Sequence, residues 1–318
     1  MIIAHNDGDG QLCKIETRER NALPYRRRRK KLQIAPTAED GRLNKEVHIM
    51  EYSINIGYLT STLSMAQAAE LLSKNGFTAL DYTPPVSLDN WQAVMRENLD
   101  IFSSFGLRVH QTHAPYNRYG KWGANHKLYV ERAVEASAAM GAEFMVAHGD
   151  EFDYEKMEYS PEAALAYNHD YFLPYVEKAE KAGVGVAFEN LFCESTRPAR
   201  FCSEIEELLP LIESFDSKNV SCCWDFGHAS VSFGEAQPEK LAQAAKYITC
   251  THVHDNDTRS DEHLPPFFGR IDWKKCMEIL KYSGYGGTLS YEIVHGKIPP
   301  EVAPDFVKML ASAGRTLY

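Results

Sequence analysis

Along most of this chain, apolar and polar positions follow two alternating periods. Short runs rich in β-branched and aromatic residues, which suit a pleated surface, give way to stretches with apolar residues every three or four positions. The runs at 48–56, 77–82, 107–112, 142–148, 184–189, 220–225, 248–254 and 287–293 predict strands. Helices are predicted between and after them, at 63–75, 88–105, 123–140, 161–182, 200–215, 237–246, 271–283 and 301–314. Glycines at 76, 106, 141, 183 and 284 punctuate the change from helical to strand-like pattern, where a left-handed residue ends a helix at least cost. Eight such units in about 270 residues match the usual size of a (β/α)8 barrel. A doubly wound open sheet is the rival. It asks for a Gly-rich phosphate loop after the first strand, and INIGYLTSTLS offers only Gly57. The expected fold class is therefore α/β, a single (β/α)8 TIM barrel over 47–318.

Before residue 47 the pattern fails. Residues 1–46 are polar and aperiodic, and they carry the basic run RRRRKK at 26–31. Such a run reads as a nucleic-acid arm, a targeting signal, or a solvated, irregular extension. The last is expected here, because the segment has no periodic apolar positions to anchor it. Met50 stands at the onset of the first strand, which makes it an alternative start to Met1.

Composition narrows the class. With 44% apolar and 25% charged residues the chain reads as globular, and no stretch approaches the ~20 apolar residues of a membrane span. A net charge of −10 argues against nonspecific nucleic-acid binding, which depends on neutralising phosphates with Lys and Arg. Seven scattered cysteines form no CxxC pair, so neither a zinc ribbon nor a disulfide framework is expected. Reduced thiols and the absence of a secretory pattern point to a cytoplasmic protein.

Six of the eight strand-like runs end in a metal-ligating residue type. RVHQTHAP, FMVAHGD, GVAFENL, SCCWDFGH, ITCTHVHDND and LSYEIVHG carry His113, His148, Glu189, Asp225 with His228, His254, and Glu292. A barrel collects all its C-terminal strand ends on one face, which explains the recurrence. Glu189, Asp225, His254 and Glu292 come from strands five to eight, neighbours around a barrel, and can reach one cation. Three carboxylates and an imidazole suit a divalent ion, and the hard oxygen donors favour Mn²⁺ or Mg²⁺ over Co²⁺ or Zn²⁺, with Mn²⁺ the expected ion. His252 and His254 point to one face, and His254, nearer the strand end, is the expected ligand, with His252 one layer below. Asp261 and His263 form a D-x-H pair that reads as a further metal or substrate site. His113 and His148 read as substrate contacts, with Tyr116, Trp122, Phe188, Phe192 and Trp224 as an apolar wall against a sugar ring.

Over residues 50 to 318 the chain resembles the xylose-isomerase-like barrel superfamily, and within it the sugar phosphate isomerase/epimerase group. HAPY at 113–116, the His148 strand end, FEN at 188–190, DFGH at 225–228 and HVHDND at 252–257 carry the resemblance. DEHLPP at 261–266, GRIDW at 269–273 and YEIVHG at 291–296 complete it. The ketose 3-epimerase branch implies a metal held by Glu189, Asp225, His254 and Glu292, with Glu189 and Glu292 exchanging the proton. It also implies that His228 and Arg259 contact substrate oxygens. That branch carries a second Glu six residues after the first, and this chain has Ser195 there, with Glu194 one place earlier. The endonuclease IV branch implies instead three zinc ions on His113, His148, Glu189, Asp225, His228, His254, Asp261, His263 and Glu292. The acidic chain is a poor match for duplex DNA. The expected function is a divalent-metal-dependent isomerase or epimerase of a sugar or sugar phosphate. An inosose-type dehydratase and a multi-zinc phosphodiesterase are the alternatives. The expected partner is a small sugar or polyol, with neither membrane nor nucleic acid, and a homodimer or homotetramer is the expected assembly.

Overall fold

Eight strands form where the apolar runs place them, most of them trimmed at the ends. They are β1 (Glu51–Ile54), β2 (Ala79–Tyr82), β3 (Arg108–His113), β4 (Phe144–His148), β5 (Gly185–Glu189), β6 (Val220–Asp225), β7 (Ile248–His252) and β8 (Thr288–Tyr291). The computed structural model describes residues 50–117, 120–193, 199–293 and 298–318. The basic run at 26–31, Glu194 and Ser195 lie outside them. The helices are α1 (Met65–Lys74), α2 (Trp91–Ser104), α3 (His126–Ala139), α4 (Pro161–Ala182), α5 (Ile205–Ser214), α6 (Phe226–Phe233), α7 (Gln237–Ala244), α8 (Trp273–Ser283) and α9 (Ala303–Leu317). No helix among the described residues is long and apolar enough to cross a membrane.

All strand pairing is parallel. β2 to β7 form one ladder in chain order, and β1 pairs with β8. Isolated parallel bridges, Asn55 with Asp81 and Val253 with Tyr291, join the two ladders on both sides. Each strand lies beside its sequence neighbours and the first beside the last, as in the TIM-barrel fold family.

Side chains alternate across each strand, so one set fills the barrel and the other meets the helices. Val146, Ala187, Cys223 and Cys250 make a small inner cluster, while Phe188, Cys222, Trp224 and Leu289 belong to the large core beneath the helices. This order decides two expectations. Phe188 and Trp224 are fully buried core residues, not a wall of the site. The polar residue two positions after each inner apolar one must rise on the barrel axis.

One helix, α6, was not expected from the pattern. Phe226 to Ser230 are all buried, so FGHASVSF has no polar face and no amphipathic period. Asp225 starts this helix by accepting a hydrogen bond from His228 N at 2.6 Å. At the far ends of α4 and α8, Gly183 and Gly284 take left-handed backbone (φ 76° and 75°), as their positions in the sequence imply.

Candidate metal centre

Above the inner apolar layer, four adjacent strands each carry a ligand type two residues on. His148 follows Val146, Glu189 follows Ala187, Asp225 follows Cys223, and His252 follows Cys250. Strand β3 adds His113, and the segments after β7 and β8 add His254, Asp261, His263 and Glu292.

Glu189 stands at the centre. Its Oε2 lies 3.3 Å from His113 Nε2 and 3.2 Å from His148 Nε2. Its Oε1 lies 3.2 Å from His252 Nδ1 and 3.1 Å from His228 Nδ1. His252 Nδ1 is also 3.2 Å from Glu292 Oε2 and 3.6 Å from Asp225 Oδ2. One group of four, Glu189, Asp225, His252 and Glu292, thus shares a ligand with a group of three, His113, His148 and Glu189. A third group sits on the β7–α8 loop. There Asp261 Oδ2 is 3.0 Å from His263 Nε2 and 3.6 Å from His228 Nε2. His254 lies face to face with His263, ring centres 4.0 Å apart, and joins Asp261 and His263 as well as Asp225 and His228.

The geometry brings both histidines of THVH into the cluster, in different groups. The group with Glu189, Asp225 and Glu292 contains His252, while His254, the expected ligand, meets Asp225 alone of these acids, with its Nε2 3.0 Å away. Strand register is the reason: Asp225 pairs with His252, which sets those two at one level and lifts His254 a layer higher. Arg259 is exposed on the loop after β7, with its backbone N–H donated to Asp257. His113, His148 and His228, expected to face substrate, all lie against the acids of the cluster. Tyr116 stacks on His148, 4.5 Å between ring centres, and Phe192 lies 5.0 Å from His228.

Hydrogen bonds to backbone carbonyls orient three of the histidines. A carbonyl can only accept, so His113 Nδ1–H donates to Ala114 O (2.7 Å), His228 Nδ1–H to Asn190 O (2.9 Å), and His263 Nδ1–H to Glu292 O (2.6 Å). Each ring then presents Nε2 to a carboxylate. With a lone pair there, nitrogen and carboxylate repel unless a proton or a cation lies between them. Donor separations of 3.2–3.3 Å around Glu189 Oε2 compare with roughly 3.3–3.4 Å between ligands of a tetrahedral ion with ~2.0–2.1 Å bonds. The donor set fits divalent metal.

Electrostatics agree. Burial opposes the charge on Glu189, yet the imidazoles of His252 and His148 hold it well below the usual carboxylate range. Buried Asp225 and half-buried Asp261 are likewise pulled down, by His228 and His254 and by His228 and His263. Burial also disfavours charged imidazoles, but carboxylates outweigh it at His252 and His228, which rise well above the ordinary histidine value, and at His263, which reaches about 9. His148 goes the other way, pushed down by burial to about 4. Protons thus stabilise the acids, and a metal ion would compete with them for the same nitrogens.

Four supporting residues escaped the sequence reading. Tyr58 O–H donates to Glu292 Oε1 at 3.1 Å, and Asp81 Oδ2 lies 3.2 Å from His252 Nε2. Asn190 clamps Asp225 through two hydrogen bonds to its backbone, 2.8 and 2.9 Å. Buried Asp255 accepts from Asn256 N, Phe267 N, Ile271 N and Trp273 Nε1, folding the loop that carries Asp261 and His263. Asp81 had a signal, since ALDYTPP is a seventh strand end with a carboxylate. The others depend on loop paths that periodicity does not report.

Residues 69–313 match the sequence model of the xylose isomerase-like TIM-barrel family. An uncharacterised protein of Methanocaldococcus jannaschii, MJ1311, is 32% identical over 187 residues, 57% of this chain and 62% of that protein. Another, y4fM of Sinorhizobium fredii, is 32% identical over 85 residues, 26% of each chain. The matched stretches thus span less than two thirds of either relative. Among solved structures, a D-tagatose 3-epimerase-like protein superposes with a TM-score of 0.66 at 23% identity, covering 84% of this chain and 98% of that one. The E. coli 3-keto-D-glucoside 4-epimerase YcjR gives 0.65 at 17% identity, over 83% and 99%. An L-ribulose 3-epimerase gives 0.65 at 16%, over 84% and 93%. At these identities the likeness establishes the fold.

Proposed function

Starting from the xylose isomerase-like TIM-barrel family, to which this chain belongs, we propose that it is a divalent-metal-dependent isomerase or epimerase of a sugar or sugar phosphate. One observation carries the reading. Glu189 and Glu292 approach the same His252 Nδ1, each at 3.2 Å, so two carboxylates flank one metal-binding point. Three oxygen donors and one nitrogen suit Mn²⁺ best, with Mg²⁺, Co²⁺ or Zn²⁺ as alternatives. A divalent ion held there supplies the positive charge that stabilises an enediolate oxygen. One glutamate removes a proton from the carbon beside the carbonyl, and the same or the opposite one returns it. Return to the neighbouring carbon isomerises the sugar; return to the opposite face of the same carbon epimerises it. Tyr58 O–H donates to Glu292 Oε1 and so orients the carboxylate whose Oε2 lies beside His252 Nδ1. The sugar and ribulose epimerases among the structural neighbours support this substrate class. Free thiols at Cys193, Cys202, Cys222, Cys223, Cys250 and Cys276 support a cytoplasmic setting.

A second reading, a multi-zinc phosphodiesterase of the endonuclease IV kind, is favoured by the three further groups, His113–His148–Glu189, Asp225–His228–His254 and His254–Asp261–His263. Their nitrogen-rich donors suit Zn²⁺. Metal analysis with a solvent-deuterium exchange assay on ketoses, inososes and sugar phosphates separates the readings. The isomerase reading expects metal in the four-residue group and deuterium at one substrate carbon, lost in Glu292→Gln with the metal still bound. Deuterium-free sugars beside cleavage of a phosphodiester and about three Zn²⁺ per chain would overturn it.

A further inference from the structure

Asp81 is a buried carboxylate that the chemistry above does not use. It is fully enclosed at the end of β2, with no ion pair to Lys or Arg among the described residues. Its Oδ2 meets two nitrogens, Gln111 Nε2 at 3.0 Å and His252 Nε2 at 3.2 Å. Its Oδ1 is buried with no hydrogen-bond partner, as is Gln111 Oε1. Burying a carboxylate is expensive unless hydrogen bonds compensate, and each unmet buried oxygen asks for an explanation.

The backbone shows how Asp81 comes to point there. β2 and β3 run in register at Ala79–Arg108 and Leu80–Val109, then shift by one residue, so that Asp81 pairs with Gln111 and His110 is the extra residue. Such irregularities re-aim side chains near functional sites. The parallel bridge from Asp81 to Asn55 then fixes this point between β1 and β3.

On the other side of the imidazole, His252 Nδ1 faces Glu189, Glu292 and Asp225 at 3.2, 3.2 and 3.6 Å. A neutral imidazole carries one N–H. If Nδ1 is to offer a lone pair to an ion among those acids, Nε2 must hold the proton and needs an acceptor. Asp81 Oδ2 is that acceptor. We infer that Asp81 is a positioning residue, which takes the Nε2–H of His252 and thereby fixes both the tautomer and the tilt of the ring that completes the four-residue group. Gln111 in turn holds Asp81. The inference rests on the metal-dependent reading above, and it adds a residue that touches neither ion nor substrate.

The test is Mn²⁺ affinity of the full chain, followed by loss of the free-ion EPR signal, for wild type, Asp81→Asn and Gln111→Met. A Co²⁺ absorption spectrum reports the geometry of the same site. Asp81→Asn keeps the shape and removes the charged acceptor. It is expected to weaken Mn²⁺ binding 10–100-fold and to alter the Co²⁺ bands, with the metal-free circular dichroism unchanged. Gln111→Met loosens only the anchor and is expected to cost several-fold; it carries the test alone should Asp81→Asn fail to fold. A wild-type chain that binds Mn²⁺ beside folded variants that bind it equally well, with the same Co²⁺ spectrum, overturns this inference alone. A wild-type chain that takes up no divalent ion overturns the metal-dependent reading itself.

Discussion

Asp225 and His252 face each other in register across β6 and β7, and a one-residue shift in the ladder makes them partners. Cys222 pairs with Ile248, but the next residue, Cys223, pairs with Cys250 and skips Thr249. Without the shift Thr251 would stand opposite Asp225, and His252 would belong to another level. The irregularity therefore selects which of two histidines, both on the same face in THVH, stands with Glu189 and Glu292. The expected outcome is that His252→Ala loses more Mn²⁺ affinity than the roughly 10–100-fold typical of an outer-shell change. His254→Ala, at the edge of the same cluster, is expected to lose less. Calorimetric titration of both variants checks this, and the opposite ranking would return the ligand role to His254.

Removing the metal should cost stability as well as activity. The acids of the four-residue group crowd one another, and in metal-free protein protons on the histidines and hydrogen bonds from Tyr58 O–H and His228 N–H offset them. An ion that binds the folded chain and not the unfolded one stabilises it by about 2.7 kcal/mol at a hundred times its dissociation constant. For a domain of this size that is worth about 5–10 °C in Tm. Thermal unfolding with and without EDTA reads the difference. A Tm that ignores both EDTA and re-added Mn²⁺ speaks against a metal in the resting protein.

The barrel was legible because its signal is repetitive: strand-like and helix-like runs alternate from residue 48 onward, and eight weak patterns agree. The cluster was legible for a related reason, since a ligand type at six strand ends demands convergence. What could not be read was register. Whether His252 or His254 stands with Glu189 and Glu292 turns on a single skipped residue, Thr249, and no periodicity encodes that. Helix α6 was missed because its first five residues are all buried, so no amphipathic period marks it. Asp255 was missed because its partners, Phe267, Ile271 and Trp273, lie 12 to 18 residues away along an irregular loop. Arg259 was expected at the site from spacing in the resemblance, but the loop that Asp255 folds leaves it exposed.

A third prediction concerns pH. Glu151 is buried between the β3–α3 and β4–α4 segments. Its Oε1 accepts from Asn117 N at 3.3 Å, and its Oε2 lies 3.3 Å from His126 Nδ1. His126 gives no positive charge to offset it. Burial pushes that ring below its ordinary value, and its Nε2–H is donated to Pro115 O while Tyr171 O–H is placed to donate to Nδ1. Burial therefore pushes the Glu151 carboxyl up from 4.5 to about 8. Between those values the folded chain holds a proton that the unfolded chain has released. Stability from this group is full below pH 4.5 and is lost as pH rises through about 8, with a slope of at most about 1.4 kcal/mol per pH unit. Glu151→Gln should flatten that slope. Urea unfolding of both proteins at several pH values from 5 to 9 measures it, and parallel curves would refute the assignment.

Gly227 carries the last prediction, because its missing side chain is what lets His254 sit where it does. A Cβ at this position would lie 1.8 Å from His254 Cε1 and 2.2 Å from its Nδ1, far inside van der Waals contact. The His254 ring has little room to retreat. It is fully buried, its Nε2 lies 3.0 Å from Asp225, and its other face is covered by His263. Gly227→Ala should therefore cost at least the ~1–3 kcal/mol typical of overpacking, and it should disturb the Asp225 side of the cluster as the ring is displaced. If the clash is the whole cause, removing the ring removes the penalty. The double variant Gly227→Ala/His254→Ala should then be less destabilised than the sum of the two single changes, with a coupling of about 1 kcal/mol or more in a double-mutant cycle. Additive effects would locate the role of Gly227 in the first turn of α6 instead of in the space it leaves for His254.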